Sequence, residues 1–118
     1  MIYGVSDLRY TDWDKEIMHS EKPVVVEFWH KECPICMKLE PTFLSLPLKM
    51  AGKAKFMRLN VMENRESRRF AIEKGVIGTP TIKIYCRGVD IGELVGLETL
   101  EANLEETIDS VIKRCQNN

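Results

Sequence analysis

The stretch that decides the fold is Val24–Pro41, VVVEFWHKECPICMKLEP. It begins as an almost continuous apolar, β-branched run, which is typical of a strand buried on both faces in a parallel sheet. After a short polar segment the pattern becomes helical, through Met37 and Leu39. Two cysteines, Cys33 and Cys36, stand where the two patterns meet. The sequence therefore predicts a strand, a turn and a helix, with a pair of thiols at the start of the helix.

The spacing of these cysteines suits a reversible disulfide. Residues i and i+3 of a helix share a face, with Cβ atoms about 5–6 Å apart, and a disulfide needs about 3.5–4.5 Å. Slight tightening of the first turn therefore closes the bond. Cys33 is the expected N-cap and Pro34 the first helical residue, where proline is favoured. Because the helix N-terminus favours a thiolate on Cys33 more than on Cys36, we expect Cys33 to attack and Cys36 to resolve.

The chain resembles the thioredoxin family over nearly its whole length. The matching elements are Glu27-Phe28-Trp29, Cys33-x-x-Cys36, Pro41 and Gly78-Thr79-Pro80-Thr81, in this order. The resemblance implies that the Thr79–Pro80 bond is cis and that Pro80 packs beside the active-site disulfide. It also implies that the backbone of Thr79 pairs with the backbone of the substrate. Trp29 is first of all a core aromatic, and we expect it to pack near this substrate-binding region.

Glu27 is a carboxylate in the middle of an apolar strand. It could be a partly exposed residue at a strand end. The resemblance implies instead a buried acid near the disulfide, where most family members carry aspartate. Burial would raise the pKa of Glu27 and fit it to accept and return the proton of Cys36. Arg58 matches a position where the family often has lysine; its charge would lower the pKa of Glu27, and it cannot shuttle protons itself.

Two departures from the family lie beside the cysteines. Glu32 replaces the usual tryptophan before the first cysteine, and its carboxylate should raise the pKa of Cys33. Pro34-Ile35 replaces the usual Gly-Pro; Pro34 resembles glutaredoxins and periplasmic disulfide oxidants, whereas Ile35 offers a thiolate no hydrogen bond. These changes bear on the reduction potential and on partner choice, and leave the reaction type unaltered.

Composition bounds the class of protein. The chain has 118 residues, 44% of them hydrophobic and 30% charged, which predicts one globular domain over residues 1–118. Seventeen basic and eighteen acidic residues give no net field that would indicate nucleic acid or an anionic membrane. No apolar run approaches the roughly 20 residues of a membrane span. Met1–Arg9 has no basic stretch leading into an apolar one, so we expect no signal peptide and a cytoplasmic protein.

Hydrophobic periodicity and capping residues predict nine elements. The first four are a short edge strand from Ile2 to Leu8, a helix from Thr11 or Asp12 to His19 with Trp13 and Ile17 inward, the strand Val24–Trp29 and the helix after Cys33. The strand Lys55–Val61 and a helix from the cap Asn64 to Gly75 follow. The last three are the hairpin strands Thr81–Cys86 and Val89–Val95, with Gly92 a bulge candidate, and a helix capped by Thr99. Pro41 should kink the second helix, and Pro47 should break or bend it again. Alternation first and a hairpin last predict an α/β thioredoxin fold, with a central mixed sheet flanked by helices on both faces.

The other two cysteines have apolar neighbours. Cys86 shares strand parity with Ile82 and Ile84, and Cys115 lies on the apolar stripe of the last helix. Free cysteine is among the most buried residue types. We therefore expect both to be core thiols, and the four cysteines not to form a disulfide framework.

The leading interpretation is a thiol–disulfide oxidoreductase that uses a reversible Cys33–Cys36 pair. It requires no metal or organic cofactor, takes disulfide-bearing proteins as substrates, and receives electrons from a reductase or a small thiol. One alternative is a metal or iron–sulfur module using Cys33, Cys36 and ligands from His30 or a second chain, although zinc sites usually have four ligands and there is no second C-x-x-C. The other alternative is a redox-silent interaction domain that keeps only the fold.

Overall fold

Five strands form one mixed sheet in the computed structural model, which describes residues 4–116. The strands are β1 (Val5–Asp7), β2 (Val24–Trp29), β3 (Lys55–Asn60), β4 (Thr81–Cys86) and β5 (Val89–Val95), in the spatial order β1-β3-β2-β4-β5. The first three are mutually parallel, whereas β4 is antiparallel to β2 and β5 is antiparallel to β4. The expected mixed sheet is confirmed. The first residues of the predicted edge strand, Ile2 and Tyr3, lie outside the described residues, and the single domain over 1–118 stays a prediction.

Helices cover both faces of this sheet. The α-helices are α1 (Pro34–Lys49), α2 (Arg65–Glu73) and α3 (Leu104–Gln116), and shorter helical turns occupy Tyr10–Asp12, Asp14–Met18 and Gly96–Leu100. Because side chains alternate along a strand, Val24, Val26 and Phe28 of β2 pack in one buried cluster with Trp13 and Ala71. Val25 belongs to the opposite cluster, with residues of α1 and α3. The helices on both faces are thus confirmed.

The first predicted helix is a 3₁₀ turn followed by a π-helical turn, and not one regular helix. Its inward residues were predicted correctly, since Trp13 and Ile17 are buried. The Trp13 ring lies 5.0 Å from the ring centroids of both Phe70 and Tyr85, edge-on to each. This aromatic cluster links the segment to α2 and to β4.

Two predictions about the helices need correction. Helix α1 is not broken at Pro47 but continues from Pro34 to Lys49; Pro47 lies in the last turn, where its missing N–H removes only one backbone bond. A bend at Pro47 stays a prediction. Thr99 does not cap α3. Its hydroxyl donates to the carbonyl of Gly96 at 2.7 Å, inside its own 3₁₀ turn, and α3 begins only at Leu104.

Two other local predictions are confirmed. Asn64 is the N-cap of α2, and its side-chain oxygen accepts from the backbone N–H of Ser67 at 2.7 Å. The hairpin register shifts between Ile84 and Tyr85, which face Gly92 and Asp90, so the bulge lies beside Gly92.

Cys86 and Cys115 form a disulfide, with their Cα atoms 5.7 Å apart. Both residues are buried, as expected, but the expectation of two separate thiols is wrong. Cys86 ends β4, and Cys115 lies in the last turn of α3, which packs its apolar stripe on the same face of the sheet. The bond therefore ties the end of α3 to the end of β4. Within residues 4–116, no helix has both the length and the apolar character needed to cross a bilayer.

Candidate functional site

The Cys33–Cys36 pair lies where β2 gives way to α1. Cys33 is the N-cap of α1 in an extended conformation, and Pro34 follows as the first helical residue. The two cysteines are joined by a disulfide, with Cα atoms 5.2 Å apart. Cys33 keeps 6% of its surface exposed and Cys36 none. Of the two cysteines, only Cys33 therefore keeps any surface within reach of solvent.

A backbone hydrogen bond also distinguishes the two sulfurs. The N–H of Cys36 donates to Sγ of Cys33 at 3.2 Å. Free N–H groups in the first turn of a helix carry partial positive charge and stabilise anions. The sequence Cys-Pro-Ile-Cys thus places Sγ of Cys33 at the N-terminus of α1, beside its free N–H groups.

The loop before β4 lies at the same edge of the sheet as the disulfide. The Thr79–Pro80 peptide bond is cis, as expected. Thr81 pairs with Phe28 across β2 and β4, so Pro80 lies next to the end of β2 from which the cysteine turn emerges. The loop is anchored by the N–H of Gly96, which donates to the carbonyl of Pro80 at 2.8 Å. The predicted contact between Pro80 and the disulfide stays a prediction.

Glu27 is fully buried. It shares the strand face of Val25, which packs towards α1, the helix that carries Cys36. Burial raises the pKa of Glu27 from 4.5 to about 7; the Arg58 charge and hydrogen bond act in the opposite direction, and the nearby Glu40 charge adds to the rise. One carboxylate oxygen, Oε1, accepts from Nε of Arg58 at 3.0 Å. The other, Oε2, is buried and has no hydrogen-bond partner among the described residues.

Arg58 joins the sheet to α1. It faces Glu27 across β2 and β3, and its Nη1 donates to Oε1 of Glu40 on α1 at 2.8 Å. Its guanidinium also stacks on Trp29, with Cζ 3.9 Å from the ring centroid. Arg58 thus holds two carboxylates and one indole around the base of the cysteine helix.

Glu40 is the site residue that the sequence interpretation missed. It lies four residues after Cys36, and residues at i and i+4 share a helix face. This spacing was the available signal that Glu40 lies on the same face of α1 as Cys36. The prediction of Arg58 as the neighbour of Glu27 is correct, but Arg58 has a second acidic partner.

The residues before Cys33 form a tight polar turn. The N–H of Glu32 donates to Nδ1 of His30 at 3.2 Å, and the Glu32 side chain is exposed. The metal-binding alternative is not favoured, since the two thiol sulfurs that it needs are bonded to each other. Across the described part of the chain, no three His, Cys, Asp or Glu side chains are grouped as metal ligands.

Comparison with known proteins agrees with this geometry. The family model described as Thioredoxin matches residues 4–110. Thioredoxin M4, chloroplastic, from Arabidopsis thaliana is 33% identical over 104 residues, which are 86% of this chain and 52% of that protein. Thioredoxin from Acetoanaerobium sticklandii is 30% identical over 100 residues, 85% of this chain and 92% of that protein. The chain thus spans about half the length of the chloroplastic relative and most of the bacterial one.

A solved structure gives the same fold. The crystal structure of Malassezia sympodialis thioredoxin (Mala s 13) superposes with a TM-score of 0.74 at 22% identity, covering 96% of this chain and 92% of that one. At this identity the likeness supports the fold alone. Membership of a family is therefore supported by the residue pattern around the disulfide and by the family match.

Proposed function

The chain belongs to the thioredoxin family of thiol–disulfide oxidoreductases, and on this premise we propose that it reduces or exchanges disulfides of proteins through Cys33 and Cys36. The observation that carries the proposal is the Cys33–Cys36 bond at the N-terminus of α1, where Cys33 keeps 6% of its surface exposed and Cys36 none. Such an arrangement allows the Cys33 sulfur to react with a substrate while the Cys36 sulfur stays buried next to it.

The proposed reaction has two exchanges. In the reduced protein the Cys33 thiolate attacks one sulfur of a substrate disulfide, forms a mixed disulfide and expels the other substrate sulfur as a thiolate. The Cys36 thiolate then attacks Sγ of Cys33, which restores the Cys33–Cys36 bond and releases the second substrate thiolate. Two electrons pass to the substrate, whose two thiolates take up protons. A dithiol reductase, or two molecules of a small thiol, reverses the sequence and reduces the pair again.

The neighbouring groups suit the protonation steps. The N–H of Cys36, 3.2 Å from Sγ of Cys33, would stabilise the Cys33 thiolate. We assign to Glu27 the role of accepting the Cys36 proton, because its pKa is raised to about 7 and its Oε2 is unpaired. A base whose pKa lies near the working pH transfers protons in both directions most effectively. Arg58 holds Glu27 in place and exchanges no proton itself.

The substrate would bind along the loop before β4. We assign to the Thr79 backbone the pairing with the substrate backbone, and to Pro80 and Trp29 the walls of the binding region. Pro34 and Ile35 separate the two cysteines and would contact the docked segment. This assignment needs no metal or organic cofactor, since sulfur atoms carry both electrons.

We propose the cytoplasm as the compartment, where reductases and small thiols are available as electron donors. The plastid is the second candidate, because Thioredoxin M4 of Arabidopsis thaliana and a thioredoxin M-type of Brassica napus are named chloroplastic. Localisation of the tagged full-length protein in its own cells separates the two.

The test is reduction of insulin by purified protein with dithiothreitol as donor. We expect Cys33→Ser to abolish the rate enhancement, and Cys36→Ser to accumulate a mixed disulfide that is seen by mass spectrometry. The control is Cys86→Ala/Cys115→Ala, which should reduce insulin at the rate of the unmodified protein. If the Cys33 and Cys36 variants work as well as the parent, the proposal is wrong. Alkylation of Cys33 as slow as that of an ordinary exposed thiol would favour the redox-silent alternative.

A further inference from the structure

A shallow groove runs alongside the loop that carries Thr79. Its volume is about 200 Å³. Its lining includes Met62, Arg68, Ile72, Ile77 and Thr79. We call it the apolar groove. Because it includes Thr79, it is continuous with the place where the proposed function seats the substrate backbone.

The rim of the apolar groove is unusually apolar for an exposed surface. Ile77 is 94% exposed, and Met62 and Ile72 are 56% and 55% exposed. Large apolar side chains grouped on a surface mark sites that bind another molecule. Within residues 4–116 no other element covers them.

Helix α2 extends this surface with positive charge. Arg65, Arg68 and Arg69 are all exposed, and their spacing of i, i+3 and i+4 places them on one face of the helix. We call them the arginine face. They line a second depression of about 270 Å³ together with Ile72 and Glu73. Arg68 and Ile72 line both depressions, so the apolar groove and the arginine face form one continuous surface.

The arginine face is electrically unbalanced. None of the ion pairs among the described residues involves these three arginines. Glu73 is the one acidic side chain that lines their depression, and α2 as a whole carries three arginines against two glutamates, Glu66 and Glu73, so the helix has an excess of positive charge. Arginine is the residue best suited to bind carboxylates through paired hydrogen bonds.

We infer that this surface selects protein substrates in which the cysteine is flanked by an apolar side chain and then by two or more carboxylates. The inference rests on the proposed function, since the substrate cysteine must be held at Cys33. From Arg65 to Ile72 the helix rises about 10 Å, which about three residues of extended chain can follow. The apolar groove takes the apolar side chain, and the arginine face takes the carboxylates. A protein segment fits better than a polyphosphate, because the chain has a formal net charge of −1 and half of the surface is apolar.

The test compares disulfide-linked peptide dimers in which an isoleucine adjoins the cysteine and three variable residues lie beyond the isoleucine. The variable residues are three aspartates, three asparagines or three lysines, in the order X-X-X-Ile-Cys in one set and Cys-Ile-X-X-X in the other. We expect kcat/KM for the aspartate peptide to exceed that of the lysine peptide by about tenfold at low salt in one of the two sets. The preference should shrink at high salt, because exposed charges are screened.

Two triple variants, each of which removes three positive charges, test whether the preference for the aspartate peptide depends on the arginine face. Arg65→Gln/Arg68→Gln/Arg69→Gln should reduce the ratio of kcat/KM between the aspartate and lysine peptides to less than about twofold. Lys15→Gln/Lys22→Gln/Lys49→Gln removes the same charge from exposed lysines that also make no ion pair, and should keep the preference. The peptide series on the unmodified protein is informative even if a variant fails to fold.

The outcomes separate the inference from the proposed function. Reduction of all peptides at one rate in both sets overturns the inference and leaves the oxidoreductase assignment intact. Failure to reduce any peptide or insulin overturns the proposed function instead. If the triple arginine variant abolishes self-association in sedimentation equilibrium, or if a single-stranded oligonucleotide competes as well as the aspartate peptide, the occupant is a second copy or a nucleic acid and the inference is wrong.

Discussion

Nε of Arg58 lies 3.0 Å from Oε1 of Glu27, yet the pKa of Glu27 is raised to about 7. An adjacent guanidinium ordinarily lowers the pKa of a carboxyl group. Here the loss of water around the buried acid outweighs the attraction, as continuum arguments lead one to expect for buried pairs. A carboxyl group whose pKa lies near 7 can both take and release a proton under cellular conditions.

The two charged neighbours of Glu27 act on it in opposite directions, and their removal should show this. Arg58→Met takes away a lowering influence, so the pKa of Glu27 should rise above 7. Glu40→Gln takes away a raising influence, so the pKa of Glu27 should fall. Carbon-13 NMR titration of the glutamate carboxyl groups measures both. Each unit of increase should lower the ionised fraction of Glu27 at pH 6 by about tenfold, which should slow resolution of the mixed disulfide at that pH. Shifts of the same sign in the two variants would contradict this account.

The same carboxyl group makes the stability of the fold depend on pH. Below about pH 4.5 Glu27 is protonated in both the folded and the unfolded chain, and its burial carries no ionisation cost. As the pH rises from 4.5 to 7, the unfolded chain loses this proton while the folded chain keeps it. The folded state therefore becomes less stable, by about 3 kcal/mol in total. Urea unfolding of the parent and of Glu27→Gln should therefore diverge in favour of the variant between pH 4.5 and pH 8. A free-energy difference that stays constant over this range would refute the prediction.

The Cys86–Cys115 bond should stabilise the protein without taking part in its redox cycle. It closes a loop with a sequence separation of 29, which predicts about 3–4 kcal/mol from the restricted unfolded chain. Cys86→Ala/Cys115→Ala should lower the free energy of unfolding of the oxidised protein by about this amount. Insulin reduction should not change, since Tyr85, beside Cys86, pairs with Val24 at the end of β2 remote from Cys33.

Dithiothreitol provides the control for that measurement. Once both proteins are reduced, their free energies of unfolding should differ by no more than about 2 kcal/mol, the packing lost with two buried sulfur atoms. A large difference that persists in the reducing agent would mean that the cysteines act through packing and not through the bond.

Glu32 should slow the reactions of Cys33. Its carboxylate is exposed next to Cys33 and disfavours negative charge on the neighbouring sulfur. Glu32→Gln should speed alkylation of reduced Cys33 by iodoacetamide at pH 6 about two- to fivefold. Glu21→Gln, at the far end of β2, is the matched control and should have no effect. Equal rates for all three proteins would show that the turn around His30 already shields the sulfur from this charge.

Local signals account for what could be predicted of the site. The β-branched run of β2, the proline after Cys33 and the side-chain cap at Asn64 each act within a few residues, so the order of elements could be anticipated. The family pattern around Pro80 supplied the cis bond, which no local preference would indicate.

What could not be predicted depends on contacts between elements. Cys86 and Cys115 were each placed correctly on an apolar face, but their pairing depends on how far along β4 the last turn of α3 lies. Thr99 has the chemistry of a helix cap, yet its hydroxyl is used by the 3₁₀ turn that contains it. Glu40 contacts Arg58 only because α1 packs across β3 at that height. In each case a correct local interpretation lacked the distance between two elements.

The order of the strands also bears on how the protein behaves at high concentration. The two outer strands, β1 and β5, are the places where another chain could add backbone hydrogen bonds and seed aggregation. β1 is only three residues long, and β5 carries the bulge together with Asp90 and Glu93, whose carboxylates lie 2.6 and 3.0 Å from Nζ of Lys83. Both borders are thus protected by shortness, irregularity and charge, so concentrated solutions should remain free of edge-to-edge fibres.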